Sequence, residues 1–324
     1  MRRILFIQIF LSFILLIGTI SFLNFQDDRR IFQIIIAQED ISINNDSLLQ
    51  NNQTELSINN KYIIVQLLAN HLETKLNKSV AILQIASELP QIRTLSNASL
   101  IDPSLHGIPK DADMSKRQVA QNILSIDNDF GRIFYILPNG DMYFEEPYSA
   151  QENLTRNNFA FRDYYKGAVS TGDTYLGNVL ISASSGLPQV NIAIPLYSAN
   201  GSSSSSKANN TENLIGLFAG DQDISVFNKS LRSLPLSENE IAIYVDNNGQ
   251  IIASSSPSSY INNQDQSYSD ISSLQSFKDV IGGKSGYNIE NINDKDMLIV
   301  YAPVKFKSTT WGVLFISPLN NIVR

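Results

Sequence analysis

Two stretches of this chain carry the same pattern. RIFYILPNGDMYFEE (Arg132 to Glu146) and EIAIYVDNNGQIIASS (Glu240 to Ser255) each run from a β-rich segment through a tight turn into a second β-rich segment. Pro-Asn-Gly-Asp and Asn-Asn-Gly-Gln are turn sequences, because Asn and Gly enter the left-handed backbone region at little steric cost. Two antiparallel hairpins are thereby placed at two points of the chain. Each is followed by a further pair of strand-like runs. In the first half these are LPQVNIAIPLY (Leu187 to Tyr197) and NLIGLFAGDQDIS (Asn213 to Ser225); in the second, KDMLIVYAPVKF (Lys295 to Phe306) and TTWGVLFISPL (Thr310 to Leu319). The order predicts one antiparallel module made twice. Between the strands of the first copy, SANGSSSSSKANNTE (198–212) reads as a flexible surface loop.

Ahead of both copies, Ile64, Leu68, Leu72, Leu76, Val80 and Leu83 recur at steps of three or four, which predicts an amphipathic helix over Lys61 to Leu89, stopped before Pro90. Gln38 to Asn60 has no sustained apolar period and reads as a polar linker or a loosely held helix. Behind Arg2 and Arg3, the uncharged run Ile4 to Phe25 is long enough to cross the ~30 Å hydrocarbon core of a bilayer. The unbalanced positive charge at the N-terminus predicts a single-pass anchor with the remainder outside the cytoplasm. A cleaved signal peptide is the competing reading, against which stands the length of the run. Sequons such as Asn77, Asn153 and Asn228 are compatible with an outside location. The expected organisation is an anchor over 1–25, a linker over 26–60, the long helix with the first module over 61–226, and the second module over 227–324. The fold class is α+β.

Chemistry is excluded more easily than it is assigned. A net charge of -7 with no basic run argues against nucleic acid. With no cysteine and only His71 and His106, thiolate chemistry, zinc sites and Ser-His catalysis lack their parts, and no cofactor motif is visible. Glu145 and Glu146 are adjacent on a strand, so they point to opposite faces and do not converge; one exposed face and a turn explain them. The chain does not read as an enzyme.

FRDYYKGA (Phe161 to Ala168) is the segment that reads as a binding element. Arg162 offers a planar fork of donors matched to a carboxylate, and Tyr164 and Tyr165 can supply a wall and a hydroxyl. The plain structural alternative is an arginine paired with Asp163 or another surface acid, beside two core aromatics.

A membrane segment, a long helix ending in LETKLNKSVAILQIASELPQI, and two strand-turn-strand halves resemble the double Cache (dCache) extracytoplasmic sensor domains of chemoreceptors and sensor kinases. FRDYYKGA, LISASSGLPQVNIAIPLY and GLFAGDQDIS carry that resemblance most specifically. It implies two PAS-like modules, of which the membrane-distal one binds a small molecule and the proximal one relays the event. In amino-acid-binding members FRDYYKGA resembles a Tyr-x4-Arg-x-Trp-Tyr-x2-Ala pattern that holds the ligand carboxylate. Arg162, Tyr165 and Ala168 match it, Tyr164 stands for Trp, and Asn157 stands for the leading Tyr. Asp221 resembles the family's aspartate facing the ligand ammonium, with Asp223 on the same strand face. Ser182 occupies the place of an acid, in Leu180-Ile181-Ser182 where those sensors carry Tyr-x-Asp, which removes part of the ammonium cage.

The expectation is therefore a membrane-anchored sensor domain that takes a small carboxylate-bearing metabolite, with amino acids in that class, through Arg162, Tyr164, Tyr165, Ser182 and Asp221. A homodimer and a separate signalling partner, or a longer receptor of which this is a part, are the expected associations. The alternative is a tethered solute-capture or surface-adhesion protein.

Overall fold

The computed structural model describes residues 49–198, 213–237, 239–256, 271–307 and 309–321. The run Ile4 to Phe25, most of the segment read as linker, and 199–212 of the Ser-rich connector lie outside them. Among the described residues no helix is long and apolar enough to cross a membrane.

Helix α1 spans Leu49–Ser87. Leu68, Leu72, Leu76, Val80 and Leu83 are buried along it, as their spacing predicts, whereas Ile64 is half-buried and Val65 takes the core position. The helix begins at Leu49, not Lys61, so of the two readings of 38–60, polar linker or loosely held helix, the described part takes the helix. A helix nucleated by a packed face propagates into polar residues one hydrogen bond at a time, without needing an apolar stripe.

The described chain divides into two compact units, Leu76–Asp223 and Leu49–Lys75 with Ile224–Asn321, and the break falls within α1. In the first unit, β1 (Arg132–Ile136), β2 (Met142–Glu146), β3 (Tyr175–Leu176), β5 (Pro188–Tyr197) and β6 (Leu214–Asp223) form an antiparallel sheet in the order β2-β1-β6-β5-β3, with β4 (Leu180–Ile181) paired to β5. In the second, β7 (Ile241–Val245), β8 (Ile251–Ser254), β9 (Gly286–Ile292), β10 (Lys295–Phe306) and β11 (Thr309–Pro318) follow the order β8-β7-β11-β10-β9. The two topologies coincide.

The coincidence extends to single hydrogen bonds. In the first hairpin the Leu137 N–H donates to Asp141 O at 2.8 Å and the Gly140 N–H to Leu137 O at 2.9 Å; in the second, Asp246 donates to Gln250 O at 2.9 Å and Gly249 to Asp246 O at 3.1 Å. Gly140 and Gly249 have φ of 90° and 83°, the left-handed conformation this turn requires. Position 137 of the first module is thus position 246 of the second, and the registers of both sheets can be superposed from there.

Each sheet has one face covered by a short helix. Helix α4 (Asp163–Thr171) packs Tyr164, Tyr165 and Ala168 onto Phe134, Ile136 and Ala219. In the second unit, α6 (Gln275–Ile281) puts Phe277 and Val280 on Ile243, Ile299 and Leu314. The other face of the first sheet meets α1, where Gln222 Nε2 donates to Ser79 Oγ at 2.7 Å, and α2 (Met114–Ile126). From α2, Arg117 reaches Glu146 Oε1 at 2.6 Å and Gln151 Oε1, on α3 (Tyr148–Glu152), at 3.0 Å. After β6 the chain continues into α5 (Ser225–Arg232) of the second unit.

Candidate functional site

Helix α4 starts where Arg162, still extended at φ −68° and ψ 146°, gives way to Asp163, and ends at the left-handed Gly172. Asp163 secures this start from both carboxylate oxygens, accepting the Tyr164 N–H at 2.7 Å and the Asn178 N–H at 2.6 Å. Gly167 lets the helix lie against Tyr175: a Cβ there would come within 2.4 Å of the ring. The consequence is a close, fixed placement of the two tyrosines. Tyr164 meets Phe134 edge-on, with ring centroids 5.9 Å apart. The Tyr165 hydroxyl donates to Pro138 O at 2.6 Å.

Arg162 is half-buried. Its Nη2 donates to Ile181 O at 3.0 Å and its guanidinium lies over the Phe161 ring, 5.0 Å from the centroid. Among the described residues no acid pairs with it, so the surface ion pair with Asp163 does not form. Asp163 is spent on the backbone instead.

Asp221 is fully buried at the end of β6, directly opposite Arg132 on one side and Asn191 on the other. One of its oxygens, Oδ2, accepts from the Arg132 guanidinium, which also donates to Gln189 Oε1. Its other oxygen, Oδ1, is buried without a partner. Glu145, on β2, has Oε1 3.5 Å from Arg132 Nε, while its Oε2 is likewise enclosed and unpartnered. Two carboxylates therefore share one guanidinium. Burial, and then repulsion from Asp221, pushes Glu145 up to about 8 against the pull of Arg132 and the Ser184 hydroxyl. Burial pushes Asp221 up to about 6, with Arg132 opposing.

Both glutamates are only 3% exposed, which corrects the expectation of a solvated face. They do point to opposite faces, Glu146 to Arg117 and Glu145 to the α4 side. The histidines also have ordinary places: His71 is half-buried on α1, and His106 pairs with Asn157, the residue standing for the leading Tyr.

Ser182 is buried, but its hydroxyl serves its own turn, accepting the N–H groups of Ser184 and Ser185 at 3.3 and 3.2 Å. That turn has a larger function. Ser184 Oγ donates to Glu145 Oε1 at 3.2 Å, although β5 is separated from β2 by β6 and β1. The Ser182–Gly186 turn must therefore reach across the sheet face, roofing Arg132 and Asp221. Floor, wall and roof come from the sheet, Tyr164 and this turn respectively. An open cavity of about 540 Å³ lies elsewhere in the same unit, lined in part by Gln84, Glu88, Arg93, Thr174 and Tyr197, and none of the five expected residues borders it.

Arg132, Glu145, Gln189 and Asn191 were not singled out by their residue types. The hairpin register was the available signal, since a five-residue turn over 137–141 aligns Phe134 with Glu145 and leaves Arg132 beside them. Superposing the modules from that turn gives a sharper contrast. The row Asn191–Asp221–Arg132 of the first sheet corresponds to Ile299–Ile316–Ile241 of the second, and Glu145 corresponds to Ser254. This fold thus accepts an apolar row at the same place. The charged row of the first module is not a requirement of the architecture.

A duplicated sheet module behind one long helix, with an enclosed charged site under a short helix and a turn in the first copy, defines a tandem small-molecule sensor domain. A family model described as Cache domain, of the double type, matches residues 44–324. The chain belongs to this family, which is one of ligand-sensing domains and not of enzymes. No curated protein matches it. Among solved structures, the periplasmic sensory domain of the Campylobacter jejuni chemoreceptor Tlp1 is similar at a TM-score of 0.58 and 14% identity, covering 84% of this chain and 98% of that one. The ligand-binding domain of the Pseudomonas aeruginosa PAO1 amino acid chemoreceptor PctB, in complex with L-Arg, gives 0.56 and 15%, covering 82% and 97%. That of the Pseudomonas fluorescens chemoreceptor CtaA, in complex with L-isoleucine, gives 0.52 and 16%, covering 85% and 96%.

Proposed function

We propose that this chain is a membrane-anchored extracytoplasmic sensor whose first module, over 61–226, binds a small carboxylate-bearing metabolite, with amino acids in that class. Arg162, Tyr164, Tyr165, Ser182 and Asp221 form the site, Arg162 gripping the carboxylate and Asp221 the polar group opposite. The observation that carries this reading is the polar row Asn191–Asp221–Arg132, set where the second module has isoleucines. Burying charge is costly, and a fold that has an apolar solution yet keeps charges keeps them for a partner. A half-buried Arg162 without an acid partner supports the carboxylate assignment. Ligand-binding domains of the same fold, solved with L-Arg, GABA and asparagine, support the ligand class.

Anchoring rests on the apolar run Ile4 to Phe25. The second module, over 227–324, relays binding to a separate signalling partner or to further parts of a longer receptor. Leu56 and Ile63, exposed by 45% and 37% and seven residues apart on one face of α1, support a homodimer along that helix. A flexible linker transmits force poorly and would favour the tethered solute-capture alternative; the helix from Leu49 weighs against it.

Thermal denaturation of the full chain in mild detergent, screened against carboxylates and amino acids, tests the assignment. Ligands that raise the midpoint should lose their effect in Arg162→Ala. Survival of every hit in that variant would overturn the carboxylate site.

A further inference from the structure

The open cavity of about 540 Å³ has no part in the reading above, yet its size is that of a small-molecule pocket. It lies at the far end of two elements that also reach the roofed site. Helix α4 starts at Asp163, next to Arg162, and ends at Gly172, which lines the cavity; strand β5 runs from Gln189 and Asn191, beside Arg132 and Asp221, to Tyr197, which lines it too. From Asn191 to Tyr197 is about 20 Å at ~3.3 Å per residue. One helix and one strand thus serve two separate places.

Arg93 is the only cation among the residues lining the cavity, and it is held firmly. Its Nη1 donates to Tyr197 O at 3.1 Å and its Nη2 to Glu88 Oε1 at 2.8 Å, while its Nε is buried without an acceptor, a cost that the fold retains. Lys116, fully buried, donates from Nζ to the carbonyls of Gln91, Ile92 and Thr94, so the backbone on both sides of Arg93 is clamped from within. Gln84 Nε2 donates to Thr174 Oγ1 at 3.1 Å, which ties the end of α1 to the turn after α4. Polar groups fixed in advance bind at a lower entropic cost than mobile ones.

The lining restricts the occupant. Glu88 and Asp173 outnumber Arg93, so an anion meets net repulsion, and a cation meets the guanidinium. An extended peptide would have to add to the edge of β5 beyond Ala193, where β3 ends. Asn191 O and Tyr197 O both turn away from β6, accepting from the Gly177 N–H and from Arg93, and Pro195 falls between them in the same alternation with no N–H to offer. Strand addition is therefore interrupted. Amide and hydroxyl groups remain, on Gln84, Thr174 and Tyr197, beside the apolar surfaces of Ile85, Pro195 and Leu196. A ring with hydroxyls around its rim and C–H groups on its faces matches both.

We propose that this cavity is a second binding site of the first module and takes an uncharged polyhydroxylated ring, a cyclitol, monosaccharide or disaccharide, held by Arg93 and Gln84 against Pro195 and Tyr197. The proposal does not rest on the carboxylate site, from which it is separated along β5 and α4.

Isothermal titration calorimetry on the full chain, in a detergent without a sugar headgroup, tests it with D-glucose, D-galactose, D-mannose, myo-inositol and maltose. At least one should bind with a Kd below about 1 mM, and D-glucuronate and D-glucosamine should bind more weakly than D-glucose. Arg93→Ala should weaken binding about 10–100-fold, the worth of hydrogen bonds to a charged group. Ile85→Trp, at a position of the lining exposed by 36%, puts an indole into the cavity and should abolish binding; it serves as the second variant if Arg93→Ala does not fold. Arg162→Ala should leave binding unchanged. No binding of any of the five compounds, unchanged binding in Ile85→Trp or in folded Arg93→Ala, loss of binding in Arg162→Ala, or tighter binding of either charged sugar would each overturn the proposal. A carboxylate ligand that is lost in Arg162→Ala and kept in Ile85→Trp leaves the sensor reading standing whatever the sugars do.

Discussion

Glu145 and Asp221 flank Arg132, and the consequences can be read without any ligand. Glu145 ordinarily titrates near 4.5 and is held up to about 8 in the folded protein. The folded state thus binds the proton more tightly than the unfolded chain. This contribution to stability is full below about 4.5 and is lost as pH rises to about 8. Glu145→Gln should flatten the fall in melting temperature across that window; an identical fall in the variant would mean that another group titrates there. On the opposite face of β2, Arg117 is the partner of buried Glu146. Arg117→Leu strands that carboxylate and should cost about 3–5 kcal/mol in urea denaturation. Tyr164 and Tyr165 stood out by residue type and Asp221 by its resemblance to the family's aspartate; their binding role is the proposal made above. Glu145 did not stand out, because two adjacent glutamates look like a solvated edge until the hairpin register assigns each a face and a partner.

At the level of elements, α4 and the Ser182–Gly186 turn do the positioning. Gly167 permits the close approach that presses Tyr164 onto Phe134. Gly167→Val would drive its Cβ into the Tyr175 ring; overpacking of this kind costs about 1–3 kcal/mol, more than the ~1 kcal/mol that replacing a helical glycine returns. Lower stability and loss of ligand-induced stabilisation are expected together, and calorimetry of the variant checks both. The strands were legible because turn chemistry and β-rich runs mark them; β10 spans Lys295–Phe306 as its sequence suggests. The start of α1 was not, since Leu49 to Asn60 carries no apolar period for packing to select. Short β3 and β4 are held by β5 more than by their own composition.

For the whole molecule, duplication supplies an internal control. Two modules share strand order and hairpin geometry, yet one carries a charged row and the other an isoleucine row. The combined substitution Arg132→Ile, Asn191→Ile, Asp221→Ile and Glu145→Ser writes the second row into the first. Exchange of buried ion pairs for packed apolar groups is often neutral or stabilising by about 1–4 kcal/mol. This variant should be at least as stable as the parent by chemical denaturation, and should bind no carboxylate; a large loss of stability would give the charges a structural role instead. The duplication and the family are legible in the sequence, but this contrast is not. It emerges only when registers align residues far apart in the chain.

The most direct measurement is a crystal structure of the protein with whichever amino acid stabilises it most. The ligand is expected under the Ser182–Gly186 turn, with its carboxylate at Arg162 and a polar group against Asp221. A ligand seated instead in the open cavity beside Arg93 and Tyr197, with the charged row unchanged, would contradict it.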